Sequence, residues 1–348
     1  MMHQFRDLEP GEPMPHFSAI GADGRPVASI GMGGAYLLLL FPGRLDGEAV
    51  QALAASAALC EGSAAQILLF HSPDYPAPCI AAPSLHMLRD PDGGIARRFG
   101  ALPAEGKGLF RPRAILIDPM LRVIANLPAT TPAERAQVFE LLAAQPPAAR
   151  FADLPLHAPV LVLPRVFSRV LCAELITRYE AEGGQASGVM RVIDGKTVGV
   201  HDPLMKVRRD YLIADRDLIA RIQTRIRRTV LPEIRKVHAF EVTRMERYVV
   251  GCYRAEDKGH FAPHRDNTTP ATAHRRFAIS IALNDSYEGG EISFPEYSPQ
   301  GLRAPAGTAI VFSCALLHRV APVTRGTRYV FLPFVYDEAA ARLKQAPA

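Results

Sequence analysis

The sequence predicts an α/β domain followed by an α+β domain whose core is a β-barrel or jelly roll. Its 348 residues exceed the usual size of one domain and suffice for two hydrophobic cores. The first half alternates continuous apolar runs with helical segments, which favours a partly parallel sheet. From residue 242 onward, short strands alternate with turn residues, which indicates a barrel. We place the domains at 1–147 and 158–348, with 148–157 as the linker.

The strands of the first domain are expected where the sequence is apolar without alternation. Residues 36–41 and 66–71 are such runs, which is typical of strands buried on both faces. The Ala- and Leu-rich segment 48–60 between them predicts a helix. Two further strands are expected at 114–118 and 123–125.

Three helices have recognisable boundaries. Thr131 precedes a proline and stands three residues before Glu134, which predicts a capping box and a helix that ends near residue 144. Ser168 can cap a helix that runs to Glu182 and stops at Gly183 and Gly184. Apolar residues at i, i+4 and i+8 predict a helix over 215–230. Strands of the second domain are expected at 159–163, 247–253, 277–283, 291–294, 309–312 and 328–336.

Composition and charge exclude several classes of protein. The early apolar runs are too short to span a bilayer, and the first residues lack the pattern of a signal peptide. Five scattered cysteines without a CxxC fit neither a disulfide framework nor a zinc ribbon. We therefore expect a cytoplasmic protein without a membrane partner. Residues 151–348 carry 28 Lys/Arg and 21 Asp/Glu, which suits an anionic ligand or simply a solvated basic surface, and nucleic acid is not expected.

The residues most informative about chemistry are His264, Asp266 and His318. In an extended segment, residues i and i+2 point to the same side, so His264 and Asp266 share a face. His318 follows an apolar strand and can return to the same place across a barrel. Two imidazoles and one carboxylate form the facial triad of non-haem Fe(II) oxygenases. Surface or core residues of an ordinary β-domain are the alternative interpretation.

Arg328 stands ten residues after His318, within the apolar strand 328–336. An unpaired guanidinium in such surroundings is unfavourable, whereas its planar fork binds a carboxylate well. A buried anionic ligand therefore suits this position, and the far carboxylate of 2-oxoglutarate is the obvious candidate.

Longer motifs surround these residues: YRAEDKGHFAPHRDN at 253–267, RFAISIAL at 276–283, YEGGEISFP at 287–295 and HRVAPVTRGTRY at 318–329. They resemble the Fe(II)/2-oxoglutarate-dependent dioxygenases of the prolyl 4-hydroxylase type over about residues 158–337. The resemblance implies a double-stranded β-helix core. It implies His264, Asp266 and His318 as catalytic metal ligands, Arg328 as the partner of 2-oxoglutarate, and Tyr253 as a hydrogen-bond partner of that cosubstrate.

The activity implied by the resemblance is hydroxylation of an unactivated C–H bond in a protein or peptide side chain or a free amino acid, with release of succinate and CO₂. Fe(II), 2-oxoglutarate and O₂ are the expected cofactors, with ascorbate as an optional reductant. Desaturation, ring formation, a small-molecule substrate and a non-catalytic binding or sensing scaffold are the alternatives.

Several other polar residues are expected to be ordinary. Lys206, Arg208 and Arg209 form a basic run that predicts a solvated surface. His260 and His274 flank the His-Arg-Asp segment and are interpreted as solvated loop residues. Cys314 is expected to be a small core residue.

The first domain resembles a peroxiredoxin or thioredoxin-like domain through PGEPMPHF at 10–17, DPDG at 90–93 and RAILID at 113–118. In that family a reactive Cys follows the first central strand, at a helix N-terminus. Here that position is PGRLDG at 42–47, and neither Cys60 nor Cys79 matches it. The domain is therefore expected to be redox-inactive and to bind a partner, shape substrate entry or form a homodimer. A thiol enzyme that uses Cys60 or Cys79 is the rival interpretation.

Overall fold

We analysed a computed structural model, which describes residues 5–58, 65–72, 84–106, 108–193 and 195–345. The chain divides into two compact units, residues 1–157 with 295–299 and residues 158–294 with 300–348. In the described ranges, no helix is long and apolar enough to cross a bilayer. Cys60 and Cys79 lie outside the described residues.

The first unit is an α/β fold. Its helices are α1 (Gly47–Ala58), α2 (Gly94–Arg98) and α3 (Pro132–Ala143). Its strands are β1 (Ser18–Gly21), β2 (Pro26–Ala28), β3 (Tyr36–Phe41), β4 (Ala65–His71), β5 (Leu85–Arg89), β6 (Arg113–Ile117) and β7 (Val123–Pro128). Among the described residues they form one sheet in the order β2-β1-β5-β4-β3-β6-β7. Strand β4 runs parallel to β3 and β5, whereas β6 is antiparallel to β3, so the predicted partly parallel sheet is confirmed.

Strand β3 shows why continuous apolar runs form the centre of this sheet. Leu37 and Leu39 pack into the core on one face, while Leu38 and Leu40 pack into the core on the other. All four leucines are buried. A strand covered on both faces has no position at which a polar side chain would reach water.

Two polar side chains of this unit accept hydrogen bonds from backbone amides at the start of a helix. The Thr131 side chain accepts a hydrogen bond from the Glu134 amide at 3.2 Å, and Glu134 Oε2 accepts one from the Thr131 amide at 2.9 Å. The predicted capping box is therefore confirmed. Buried Asp90 accepts hydrogen bonds from the amides of Ile95 and Ala96 at the start of α2.

The second unit combines helices with many short strands. Its helices are α4 (Arg169–Glu182), α5 (Arg216–Thr229), α6 (Leu231–His238) and α7 (Glu338–Gln345). Its first strands are β8 (Leu161–Leu163), β9 (Gln185–Ala186), β10 (Val189–Ile193), β11 (Lys196–Val200), β12 (Lys206–Val207), β13 (Arg209–Leu212), β14 (Arg244–Glu246), β15 (Val249–Arg254) and β16 (His260–His264). The remaining strands are β17 (Phe277–Ala282), β18 (Glu288–Gly289), β19 (Ile292–Phe294), β20 (Ser298–Leu302), β21 (Ala309–Ser313), β22 (His318–Val320), β23 (Val323–Arg325), β24 (Thr327–Phe331) and β25 (Phe334–Tyr336).

Two antiparallel sheets dominate the described part of this unit. One has the order β12-β16-β22-β19-β20, and the other has β14-β25-β17-β24-β15-β13-β9, with β21 and β8 paired beside β17. This arrangement fits the predicted jelly roll. Helices α4 and α5 supply apolar residues to the core of the larger sheet. Ser168, the predicted cap of α4, and Asp215, which caps α5, accept hydrogen bonds from amides of the first turn.

Several elements were not predicted, among them the hairpin of β10 and β11 and helix α6. Strands β10 and β11 pair antiparallel, and the sequence between them contains an Asp-Gly dipeptide, which is a recognised hairpin signal. Helix α6 follows α5 after Val230 and has Pro232 in its first turn, where proline is tolerated.

Candidate metal and 2-oxoglutarate site

The structure brings His264, Asp266 and His318 together. His264 ends β16 and His318 begins β22, and the register of these two strands places the two histidines opposite each other. Asp266 lies two residues beyond β16. One potential ligand atom from each residue lies within 4.8 Å of the others.

The two imidazoles present their Nε2 atoms to Asp266. His264 Nε2 lies 3.6 Å from Asp266 Oδ1, and His318 Nε2 lies 3.4 Å from Oδ2. Each Nδ1 is used by a backbone carbonyl, that of Ala262 at 2.8 Å and that of Leu316 at 3.0 Å, so each Nε2 keeps its lone pair. Burial and the neighbouring His318 hold the pKa of His264 well below its ordinary value, which favours the neutral ligating form. This donor set fits an Fe(II) ion.

The backbone around Asp266 is fixed from two sides. Its amide donates to the Cys314 carbonyl at 2.9 Å, and its carbonyl accepts from Arg275 Nη1 at 3.4 Å. Arg275 is itself held by Glu246, with Nε 2.9 Å from Oε1. Cys314 is fully buried, as predicted for a core residue.

Arg328 supplies a buried cation in the same unit. It lies on β24 opposite Tyr253 on β15, and only 6% of it is exposed. Its guanidinium carbon lies 5.1 Å from the centre of the Tyr253 ring. In the described part of the chain, Arg328 Nη1 is buried and has no hydrogen-bond partner. A buried donor of this kind fits a carboxylate of 2-oxoglutarate.

Gly290 makes room for the stem of Arg328. Its φ of +66° is in the left-handed region. A Cβ atom at this position would lie 3.0 Å from Arg328 Cδ and 2.9 Å from Val323 Cγ2. A side chain at residue 290 would therefore displace the arginine.

Tyr253 is buried, and its hydroxyl accepts a hydrogen bond from Arg208 Nη1 at 3.3 Å. Arg208 reaches this place because Gly251 has no side chain: a Cβ there would lie 3.1 Å from Arg208 Cδ. Tyr253 therefore lies between two guanidinium groups, those of Arg208 and Arg328.

The prediction that Lys206 and Arg208 form a solvated surface was wrong, whereas Arg209 is exposed as expected. Lys206 is 7% and Arg208 is 8% exposed. The chain passes here from β12 in one sheet to β13 in the other, so side chains two residues apart both turn inward. Asp210 is the carboxylate that pairs with Arg208. The alternation of Lys206, Arg208 and Asp210 was the available sequence signal.

His274 is also buried rather than solvated. Its Nε2 lies 3.0 Å from Glu246 Oε2, and Lys344 of α7 donates to the same oxygen at 2.6 Å. Burial opposes ionisation of Glu246, but Lys344, His274 and Arg275 outweigh it and lower its pKa to about 2. The carboxylate thus joins the C-terminal helix to the segment that contains Asp266. His260, by comparison, is only half-buried.

Comparison with known proteins agrees with this chemistry. Residues 248–336 match the model of the 2OG-Fe(II) oxygenase superfamily. This part of the chain is therefore similar to that superfamily, which is named for Fe(II) and 2-oxoglutarate. The family recognised from the sequence motifs is confirmed for this region.

More particular similarity points to hydroxylases. A PKHD-type hydroxylase from Delftia acidovorans is 42% identical over 101 residues, which are 26% of this chain and 45% of that protein. The chain spans less than half the length of the curated relatives it matches.

Two solved structures are similar at a lower level. A viral collagen prolyl hydroxylase from Paramecium Bursaria Chlorella virus-1, in complex with 2OG, has a TM-score of 0.38, is 18% identical and covers 51% of this chain and 94% of its own. A Trichoplax adhaerens prolyl hydroxylase, in complex with a hypoxia-inducible-factor peptide, has a TM-score of 0.44, is 14% identical and covers 53% and 86%.

Proposed function

We propose that the second unit is an Fe(II)- and 2-oxoglutarate-dependent oxygenase that hydroxylates an unactivated C–H bond of a peptide side chain or a free amino acid. The observation that carries the proposal is the meeting of His264, Asp266 and His318, with ligand atoms within 4.8 Å, in the unit that also buries Arg328. A small-molecule metabolite is the alternative substrate, and a non-catalytic scaffold is the alternative role.

The proposed reaction converts R–H, O₂ and 2-oxoglutarate into R–OH, succinate and CO₂. When bound, iron and 2-oxoglutarate supply the O₂ activation that amino acid side chains cannot supply. His264, Asp266 and His318 would hold the metal through two Nε2 atoms and one carboxylate oxygen. Arg328 would bind the far carboxylate of 2-oxoglutarate, and the Tyr253 hydroxyl would donate a hydrogen bond to the same ligand. The low exposure of the three ligand side chains, at most 13%, would limit the access of water to the reacting atoms.

The proposal is tested by anaerobic spectroscopy of the purified protein with Fe(II) and 2-oxoglutarate. We expect a metal-to-ligand charge-transfer band in the wild type and in Asp257→Ala, which changes an exposed carboxylate on a neighbouring loop. Asp266→Ala should lose the band together with succinate formation in air. Absence of the band from the wild type, or its full retention in Asp266→Ala, would falsify the assignment.

We also propose that residues 1–147 form a thioredoxin-like domain without thiol chemistry. The support is the absence of Cys between β3 and α1, where that family carries its reactive thiol. Peroxide consumption that is lost on Cys60→Ser or Cys79→Ser would contradict this. A homodimer through this domain and a cytoplasmic location stay predictions, which size-exclusion chromatography and fractionation would test.

A further inference from the structure

Lys206, Arg208 and Arg247 surround one carboxylate, Asp210, and we call these three cations the cation cluster. Arg208 takes both oxygens of Asp210, with Nε 2.5 Å from Oδ1 and Nη2 2.7 Å from Oδ2. This bidentate pair already balances the carboxylate. Among the residues that the structure describes, Lys206 and Arg247 therefore have no carboxylate of their own.

Arg247 is the member of the cluster that a ligand can reach. Its side chain is 32% exposed, and its one hydrogen bond to a described residue runs from Nη2 to Asp210 Oδ2 at 3.1 Å. The other donors of its guanidinium face no acceptor in the described chain. Its φ of +62° is in the left-handed region, which is uncommon for arginine and which functional sites often retain.

The surroundings of Arg247 connect it to the Asp266 segment. Its guanidinium carbon lies 5.7 Å from the centre of the Phe334 ring, and that of Arg275 lies 4.1 Å from the same ring. Arg275 donates to the Asp266 carbonyl. One aromatic ring therefore separates Arg247 from a residue that contacts a proposed metal ligand.

Lys206 lies close to the proposed metal ligands within one sheet, because its strand β12 pairs with β16, which ends at His264. Its Nζ lies 5.0 Å from the centre of the Phe261 ring, which stacks on the His264 ring with centres 3.4 Å apart. Nζ donates to Ser187 Oγ at 2.6 Å and to the Gly188 carbonyl at 3.0 Å, which leaves its third hydrogen-bonding position available.

The cluster carries more positive charge than the described protein compensates. Burial and Arg208 lower the pKa of Arg247, and they lower that of Lys206 to about 6. Both shifts mean that the folded protein disfavours these two charges. The far carboxylate of 2-oxoglutarate is assigned to Arg328, so the cosubstrate does not compensate Arg247. A second anion in the site would do so.

We propose that the substrate presents a carboxylate to Arg247, with Lys206 beside it, and that this substrate is a free amino acid rather than an internal residue of a polypeptide. An internal prolyl residue is neutral and offers no partner for Arg247, whereas every free amino acid carries a carboxylate. The inference rests on the oxygenase function proposed above, because it assigns the substrate of that same site.

The first experiment compares acids with their amides on the wild-type protein. Succinate release in the presence of Fe(II), 2-oxoglutarate and O₂ is measured with each of the twenty free L-amino acids, with each corresponding α-carboxamide and with a proline peptide capped at both ends. We expect at least one acid to stimulate succinate release, with its amide at least about tenfold weaker, because a charged hydrogen-bond partner is lost. Equal stimulation by acid and amide, stimulation only by a proline peptide capped at both ends, or no stimulation by any acid overturns the proposal.

Failure of the substrate assignment is distinguishable from failure of the function. If the wild type shows the anaerobic charge-transfer band but no acid stimulates succinate release, the proposed oxygenase function is retained and the assignment of a free amino acid as substrate is rejected. If the band itself is absent, both fall.

The second experiment tests Arg247 directly. Arg247→Gln should raise KM for the stimulating acid about tenfold or more, and Arg247→Lys should restore part of the loss. The matched control is Arg244→Gln, because Arg244 is an exposed arginine three residues earlier whose partner is Glu338, and its KM should equal that of the wild type. An unchanged KM for the acid in Arg247→Gln, or a rise confined to the KM for 2-oxoglutarate, overturns the assignment.

Discussion

The sheet of the first unit is filled by aliphatic side chains, whereas the second unit buries charged groups between its strands. Leu37 and Leu39 have no exposed surface, and the buried carboxylate of Asp90 accepts hydrogen bonds from two backbone amides of α2. In the second unit, Arg328 and Lys206 are buried without a carboxylate partner among the described residues. A buried polar group that the protein satisfies stabilises the fold, whereas one that it leaves unsatisfied indicates a ligand.

The largest effect on the free energy of unfolding should come from a substitution in the apolar core of the first unit. Leu39→Ala should lower the free energy of unfolding by about 4 kcal/mol, because it leaves a cavity in a strand that is covered on both faces. The KM for 2-oxoglutarate should not change. Denaturant unfolding and succinate assays measure both, with Leu109→Ala, an exposed leucine, as the control. A large rise in the KM for 2-oxoglutarate in Leu39→Ala would contradict the distinction between a structural core in the first unit and ligand-binding charges in the second.

Glu246 tests a buried charge that the protein does satisfy. Glu246→Gln should lower the free energy of unfolding by about 3 kcal/mol, because Arg275, His274 and Lys344 lose their shared carboxylate. Iron affinity should fall about tenfold, since Arg275 would hold the Asp266 segment less firmly. Glu338→Gln, which breaks only an exposed pair, should change neither quantity. Unchanged iron affinity in Glu246→Gln would limit this residue to a structural role.

Replacement of Arg328 tests a buried charge that has no carboxylate partner among the described residues. Arg328→Gln should raise KM for 2-oxoglutarate about 100-fold, because a charged bond to its carboxylate is lost. The same change should leave the ligand-free protein at least as stable as the wild type, because an uncompensated buried charge is removed. Arg325→Gln, an exposed arginine on the preceding strand, is the control. A clear loss of stability without a change in KM would mean that Arg328 serves the fold.

Replacement of Lys206 should have the smallest effect, and that effect is on how the free energy of unfolding depends on pH. Its pKa falls from 10.5 to about 6 because of burial and then Arg208. Between these values the unfolded chain binds more protons than the folded one, so the lysine makes stability rise with pH by at most about 1.4 kcal/mol per pH unit. Lys206→Met should remove that slope between pH 6.5 and 8.5, while exposed Lys236→Met should keep it. If the free energy of unfolding depends on pH in the same way for wild type and Lys206→Met, the Lys206 side chain is solvated in the folded protein.

Much of the architecture could be predicted because its signals are local. Strand β3 follows from an unbroken apolar run, and helix α3 follows from the Thr131 and Glu134 capping pair. The spacing of His264 and Asp266 predicted a shared face. These patterns depend on the periods of strands and helices, which a sequence displays directly.

The cation cluster was not predictable in the same way. Lys206 and Arg208 look like any basic run, and only the passage of the chain from one sheet to the other buries them. His274 was misjudged for a related reason, because its burial depends on Glu246, which is distant in sequence. Burial of a charge is decided by strand pairing between distant segments.

Gly290 has a consequence for how this site can change over generations. Because a methyl group at residue 290 would contact the Arg328 stem closely, the residue types allowed at the two positions depend on each other. A substitution of the glycine disturbs the position of the arginine, whereas loss of the arginine leaves the glycine constrained by its left-handed backbone and by Val323. Among descendants of this chain, arginine at 328 should therefore persist only where glycine at 290 persists, and loss of the glycine would mark lineages that no longer bind a dicarboxylate.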